Sequence, residues 1–278
     1  MGFEMRRLYD DQPPLGFVDD FEATPKKGLC SGVGRMQGWD AGSILRIGSS
    51  AGKGGLGFSM IKIRNLSRRY SASFLALEGV DLDVAEKEMV AVTGPSGCGK
   101  STLLHLLGGL DRPSGGEIEV GGRALHLAGE AELTAYRRST VGMVFQFFHL
   151  LPTMSVQENV CVPLLLQGVP VREAHQRAAQ WLEWVGLVDR AGHRVHELSG
   201  GQMQRTAIAR ALVHEPRLVL ADEPTGNLDS RQAGQVMELL QRITSKLSAT
   251  MVVVTHSADV ARAATREVQM CDGRIVRG

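Results

Sequence analysis

Three observations predict an α/β fold. A glycine-rich turn, Gly94-Pro95-Ser96-Gly97-Cys98-Gly99-Lys100-Ser101, stands between an apolar, β-branched run (Met89-Val90-Ala91-Val92-Thr93) and a leucine-bearing helical stretch from Thr102 to Leu110. A second apolar run, Leu218-Val219-Leu220-Ala221, ends in two carboxylates, Asp222 and Glu223. A third, Met251 to Thr255, ends at His256. Short apolar strands that finish in chemistry-bearing side chains suit a sheet whose ligands bind outside the carboxyl ends of its strands.

The turn fits G-x-x-x-x-G-K-[ST] at every fixed position, in the strand–loop–helix setting a phosphate cradle needs. Its glycines let several backbone N–H groups point into one concavity, and the helix N-terminus adds partial positive charge there. Lys100 is then placed to reach β- and γ-phosphates, and the Ser101 hydroxyl to hold Mg²⁺. Cys98 reads as a small side chain inside the loop, so alkylating it is expected to block nucleotide binding. Gly48-Ser49-Ser50-Ala51-Gly52-Lys53-Gly54 is a near copy that fails. It is one residue short between its glycines, lacks the hydroxyl after the lysine, and follows no strand.

Taken in order, residues 1–59 are glycine-rich with no periodic apolar face. Such a segment cannot offset its ordering entropy and is expected to be disordered. Met60 then opens a strand at Ile61-Lys62-Ile63 and is read as the natural start of the chain. Val80, Leu82 and Val84 alternate as in a half-buried strand. Ile118 and Val120 alternate ahead of a Gly121-Gly122 hairpin turn. Tyr70 is expected in a loop after the first strand, free to stack on an adenine ring. Val141 to Phe145 reads as a buried strand ended by Gln146.

Residues of about 147–200 read as a helical insertion. Ala174, Ala178, Trp181, Leu182 and Val185 share one face before a terminating Gly186, and both tryptophans of the insertion are expected in the core. Leu198-Ser199-Gly200-Gly201-Gln202 opens a further helix that runs through Arg205, Ile208, Ala211 and Leu212 to a stop at Glu215-Pro216. Its N-terminus is a second place suited to an anion. The Leu218–Glu223 strand is expected directly beside the phosphate-loop strand, with Asp222 facing Mg²⁺ and Glu223 facing the γ-phosphate as acceptor of a proton from water.

With 278 residues, 43% of them hydrophobic, the chain is long enough to bury a full α/β core, and its formal net charge of +1 gives no basic face for nucleic acid. Cys30, Cys98, Cys161 and Cys271 show neither zinc nor disulfide spacing, which points to a reducing cytoplasm. No apolar run approaches the roughly 18–20 residues that span a bilayer, and the N-terminus lacks a basic-then-apolar leader. A chain neither secreted nor membrane-spanning by itself is expected.

In this order the motifs resemble those of the ATP-binding subunit of an ATP-binding cassette (ABC) transporter, over about residues 60–278. The resemblance implies a P-loop NTPase (RecA-like) α/β core with an antiparallel β subdomain and an inserted α-helical subdomain. It assigns Tyr70 to adenine stacking, Gly94 to Thr102 to the Walker A loop, Gln146 to the Q-loop and Ser199, Gly200, Gly201 and Gln202 to the signature. Asp222 falls in Walker B with Glu223 catalytic, Asn227-Leu228-Asp229 in the D-loop, and His256 at the switch position. The metal ligands implied are Ser101, Gln146 and Asp222. The partners implied are ATP, a second copy or a homologous subunit, and membrane permease subunits, with the chain at the inner face of the cell membrane.

Two strings, Phe145 to Pro152 and Glu223 to Ser230, look most like the lipoprotein-releasing and macrolide-export type ATPases. Their permeases carry large periplasmic domains and few membrane helices. A related reading is a cell-division-type ATPase that regulates a membrane partner without moving cargo. A soluble cassette acting on DNA or ribosomes would carry two cassettes or a long coiled-coil insertion, and a kinase would have no use for Leu198–Gln202.

Overall fold

The computed structural model describes residues 59–278. The expected disorder of the N-terminal stretch and the near-copy loop at 48–54 lie outside the described residues.

Two sheets organise the chain. β1 (Ser59–Ser71) and β2 (Phe74–Ala85) form an antiparallel hairpin, extended by β4 (Gly115–Val120) and β5 (Arg123–Ala124) in the order β2-β1-β4-β5. Ile61 and Ile63 point inward while Lys62 and Arg64 are exposed, the period of two expected of a half-buried strand. β1 is far longer than the Ile61–Ile63 alternation suggests. It continues through register shifts between Ile63 and Ser71, so Tyr70 belongs to the strand and not to a loop. The run Asn65 to Arg69 hides this because irregular pairing breaks the alternation.

The second sheet has the order β10-β9-β3-β8-β7-β6. β3 (Met89–Thr93), β6 (Val141–Val144), β7 (Leu218–Asp222), β8 (Thr250–Val254) and β9 (Arg266–Cys271) run parallel, and β10 (Arg274–Arg277) pairs antiparallel with β9. The expected adjacency of the phosphate-loop strand and the Asp222 strand is corrected here. β8 lies between them, paired with β3 on one side and β7 on the other. Every residue of β8 is buried, as a central parallel strand covered on both faces requires.

Helices cover this sheet. α1 (Lys100–Leu107) follows β3 and buries Leu103, Leu104, Leu106 and Leu107. Leu110 lies beyond the helix end and is exposed, so it is not part of the apolar face. α2 (Glu130–Ser139) precedes β6 and buries Leu133 and Tyr136. The chain from Phe147 to Ser155 is not helical. α3 (Val156–Leu166) begins only where Ser155 caps it, accepting from Glu158 N while Glu158 reaches back to the Ser155 N–H.

α4 (Val171–Trp184) buries Ala174, Ala178 and Leu182, and Gly186 follows its end with a left-handed φ. Of the two tryptophans, Trp181 packs against the core, but Trp184 is exposed beneath the Lys246 ammonium, 3.5 Å from its ring centroid. α5 (Gly200–Leu212) leads into β7. α6 (Ser230–Leu247) and α7 (Ala258–Arg262) flank β8. No helix among the described residues is long and apolar enough to cross a membrane.

Candidate functional site

The carboxyl ends of β3, β7 and β8 place three loops along one edge of the parallel sheet. After β3, the backbone turns through Gly94 (φ 146°), Gly97 (φ 78°) and Gly99 (φ 99°). A Cβ on Gly94 would stand 2.1 Å from the Met270 carbonyl oxygen, and one on Gly99 would stand 2.4 Å from that of Ala76. The loop is wedged between β9 and β2, and only glycine fits at either place. α1 starts from Gly99 with no side-chain cap, which leaves its first N–H groups aimed out of the loop. Lys100 is only 5% exposed, and its ammonium donates to the Gly94 and Pro95 carbonyls at 2.9 and 2.8 Å. Buried Cys98 lies beside it, Sγ to Nζ 3.8 Å.

Ser101 and Asp222, far apart in sequence, meet across the end of the sheet. The Ser101 hydroxyl donates to Asp222 Oδ1 at 3.2 Å. The next residue, Glu223, has a left-handed φ of 46°. Its N–H donates to the Val254 carbonyl at 3.0 Å, and its own carbonyl accepts from Gly226 N at 3.0 Å. Strained backbone of this kind persists where its surroundings fix it. The Glu223 carboxylate, largely buried, contacts His256 Nε2 at the end of β8.

The remaining predicted residues divide into those this edge gathers and those it does not. The Gln146 carbonyl accepts from Asn227 Nδ2 at 2.7 Å, so the loop after β6 is tied to the loop after β7. Asp229 caps α6 by accepting from Gln232 N at 2.9 Å. Ser199 caps α5 in a reciprocal box: its oxygen accepts from Gln202 N at 3.4 Å, and Gln202 Oε1 accepts from Ser199 N at 2.9 Å. Among the described residues no hydrogen bond joins residues 199–202 to the loop at 94–102. Tyr70, 48% exposed, sits at the tip of the β1–β2 hairpin with its ring near Phe74, 5.9 Å between centroids. Its hydroxyl donates to Asp111, which is also paired with Arg68 at 2.7 Å, and the Arg68 guanidinium lies 4.5 Å from the Tyr70 ring.

The arrangement therefore holds a glycine-built cradle at a helix N-terminus, a Ser101–Asp222 oxygen pair and a carboxylate–imidazole pair. The family model described as ABC transporter matches residues 77–226. The chain belongs to the ABC transporter family.

This ABC transporter chain is similar to ATPases of two named kinds. It is 46% identical over 221 residues to the lipoprotein-releasing system ATP-binding protein LolD of Geobacter metallireducens, covering 78% of this chain and 98% of that one. It is 41% identical over 217 residues to LolD of Bacteroides fragilis, covering 78% and 100%. It is 47% identical over 223 residues to the macrolide export ATP-binding/permease protein MacB 1/2 of Paracoccus denitrificans, covering 79% of this chain and only 33% of that longer one. Among solved structures, the ATP-binding cassette MJ0796, as a post-hydrolysis dimer with ADP and phosphate, matches with a TM-score of 0.74 and 39% identity over 78% of this chain and 97% of that one. The chain is thus an ATP-binding, ATP-hydrolysing subunit of the ABC type, with a P-loop core, an antiparallel β subdomain and a helical subdomain.

Two residues of this cassette escaped the sequence reading. Gln204, fully buried, donates from Nε2 to the Pro224 carbonyl at 2.6 Å, next to Glu223. A polar residue at i−4 from Ile208, on the apolar face of α5, is the signal that could have found it. Arg210, near the end of the same helix, donates to the Phe148 and His149 carbonyls, and no periodicity marks it.

Proposed function

We propose that two copies of this chain, or this chain and a homologous subunit, close head to tail on ATP. Each would present Ser199, Gly200, Gly201 and Gln202 to the nucleotide held on the partner's Gly94–Thr102 loop. The single observation carrying this reading is the pairing of Ser101 with Asp222 beside the pairing of Glu223 with His256, at the mouth of a loop whose lysine is already folded over it. That no hydrogen bond among the described residues ties the 199–202 helix end to that loop supports the need for a second chain. Residues 60–278 form the working cassette, with about 147–200 as its helical subdomain.

Ser101 and Asp222, with the Gln146 side chain, are hard oxygen donors of the kind Mg²⁺ takes, and Mg²⁺ would neutralise phosphate charge there. Lys100 offsets charge on the β- and γ-phosphates. Tyr70 offers a face to the adenine, backed by Arg68 and Phe74. Glu223 accepts the proton of the attacking water as its oxygen bonds to the γ-phosphorus and the bond to the β–γ bridging oxygen breaks, releasing ADP and phosphate. His256 holds the Glu223 carboxylate and contacts the γ-phosphate, and Asp229 lines the join between copies. Loss of the γ-phosphate removes the charge that held the copies together.

The work is passed to a separate membrane permease at the cytoplasmic face through the Gln146–Asn159 segment. The relatives named for lipoprotein release and macrolide export favour a permease of that exporting or releasing type. Glu223→Gln tests the reading. ATP hydrolysis should fall roughly 10²–10⁴-fold while ATP binding is spared. Turnover near the wild-type rate would remove Glu223 from this role.

A further inference from the structure

α5 carries a cation that no carboxylate among the described residues answers. Arg210 is half-buried beside the Phe148–His149 main chain, and burial holds its guanidinium below the ordinary value. Its partners are two consecutive main-chain oxygens: Nη2 donates to the Phe148 carbonyl at 2.7 Å and Nη1 to that of His149. Taking a charge out of water to bond neutral carbonyls is costly, so the arrangement needs a reason beyond packing.

The residues it grips supply one. Phe148 (φ 50°) and His149 (φ 49°) are consecutive non-glycine residues in the left-handed region, where branched and bulky side chains are disfavoured. The His149 ring folds back against Phe145, 4.7 Å between centroids. Gln146 therefore stands between an aromatic contact on one side and a strained double turn on the other, and its own carbonyl is tied to Asn227. A planar guanidinium can fork to two adjacent carbonyls in one plane, whereas an ammonium is a point donor on a flexible stem.

We propose that Arg210 is a positioning residue: by clamping the Phe148–His149 main chain in its left-handed form it fixes Gln146 relative to Ser101 and Asp222, and couples that position to the helix whose other end carries Ser199. The inference rests on the reading that Gln146 takes part in hydrolysis. Gln204, on the same helix, reaches Pro224 beside Glu223. One rigid element thus touches the loops after both β6 and β7, and a shift of α5 on ATP-driven closure moves both.

The test uses the full chain carrying Arg210→Met or Arg210→Lys, each with and without His149→Gly. Glycine adopts the left-handed turn at no steric cost, so it should relieve the need for the clamp. Arg210→Met is expected to lower kcat between about tenfold and a hundredfold, the scale set by ångström misplacement of a catalytic group. It should also raise the half-saturating Mg²⁺ concentration, with KM for ATP changed much less. Arg210→Lys should fall between it and the wild type, and adding His149→Gly should recover much of the loss. Equal losses with and without His149→Gly, or a kcat and Mg²⁺ requirement indistinguishable from wild type, would overturn the clamp.

If Arg210→Met does not fold, Arg210→Lys carries the same comparison. Amide hydrogen exchange supplies a readout independent of turnover. In Arg210→Lys, protection should drop at residues 146–149 and hold along α5. Should Glu223→Gln keep full turnover, the reading of the site falls, yet exchange at 146–149 still decides whether Arg210 is a clamp; unchanged protection there sinks it.

Discussion

The loop at 94–99 and the turns at 148–149 and 223 use the same left-handed backbone by opposite means. In the first, glycine occupies the unusual positions, so the shape is written into the residues that adopt it. In the others, Phe148, His149 and Glu223 adopt it against their own preference, at roughly 1–2 kcal/mol per residue. They are held by distant partners: Arg210 for the first two, the Val254 carbonyl for the third. A loop whose own residues favour its form needs less support from the rest of the chain. A turn held from outside changes when its holder moves. The phosphate cradle is the fixed half of this site, shaped by its own glycines, and the segments bearing Gln146 and Glu223 are the half held from outside.

The fixed half fails most severely when Gly94 is changed. In Gly94→Ala the new Cβ would meet main-chain oxygen at Met270, where no flexible side chain can yield, in a backbone region that strains any L-residue. Destabilisation of the loop by roughly 4 kcal/mol or more is expected, enough to abolish ATP binding. Titration calorimetry with ATP checks it, and binding within about threefold of wild type would contradict the fixed-half assignment.

Gln204→Leu sharpens the contrast from the other side. It removes the bond to the Pro224 carbonyl, and also removes a buried Oε1 that has no partner. The net cost in stability is therefore modest, about 1–2 kcal/mol. ATP binding should survive, while kcat falls about tenfold because the Glu223 turn has lost its outer support. If ATP affinity and kcat fell together, the two halves would not be separable.

This division also explains what was legible in the sequence. The phosphate loop, the Asp222–Glu223 strand end, the cap at Ser199 and the strand before His256 all stand where their residues predict, because each depends on neighbours in the chain. Strand order did not follow. Nothing local to Met89–Thr93 or Leu218–Asp222 says that β8 lies between them. The length of β1 was hidden by irregular pairing between Asn65 and Ser71, which moved Tyr70 from an expected loop to a strand end. Trp184 shares the helix of Trp181 but faces Lys246 from α6, a choice made by tertiary packing. Gln204 and Arg210 were missed for the same reason: their meaning lies in carbonyls far away in sequence.

The smallest expected effect comes from pH, and it falls on the half held from outside. His214 follows α5, and one ring nitrogen meets the Val141 carbonyl at 3.1 Å, at the start of the strand leading to Gln146. Burial, and to a lesser degree the neighbouring Arg177 charge, push its pKa below the ordinary 6.5, with the Val141 bond opposing them. The native state therefore resists a proton that the unfolded chain accepts. Its contribution to stability is complete above about pH 6.5 and is lost as pH falls towards the folded value. Glu158 and Glu197, lowered mainly by hydrogen bonds from the Ser155 and Arg194 backbone, act in the same direction but only below the ordinary carboxylate value of 4.5. The interval from pH 7 to about 5.5 thus separates histidine protonation from these carboxylates. In His214→Gln, whose amide can still donate to Val141, the thermal midpoint should drop less across that interval than in the wild type, the other histidines being common to both. Parallel curves would mean that His214 takes up its proton alike in both states and has no part in the acid response.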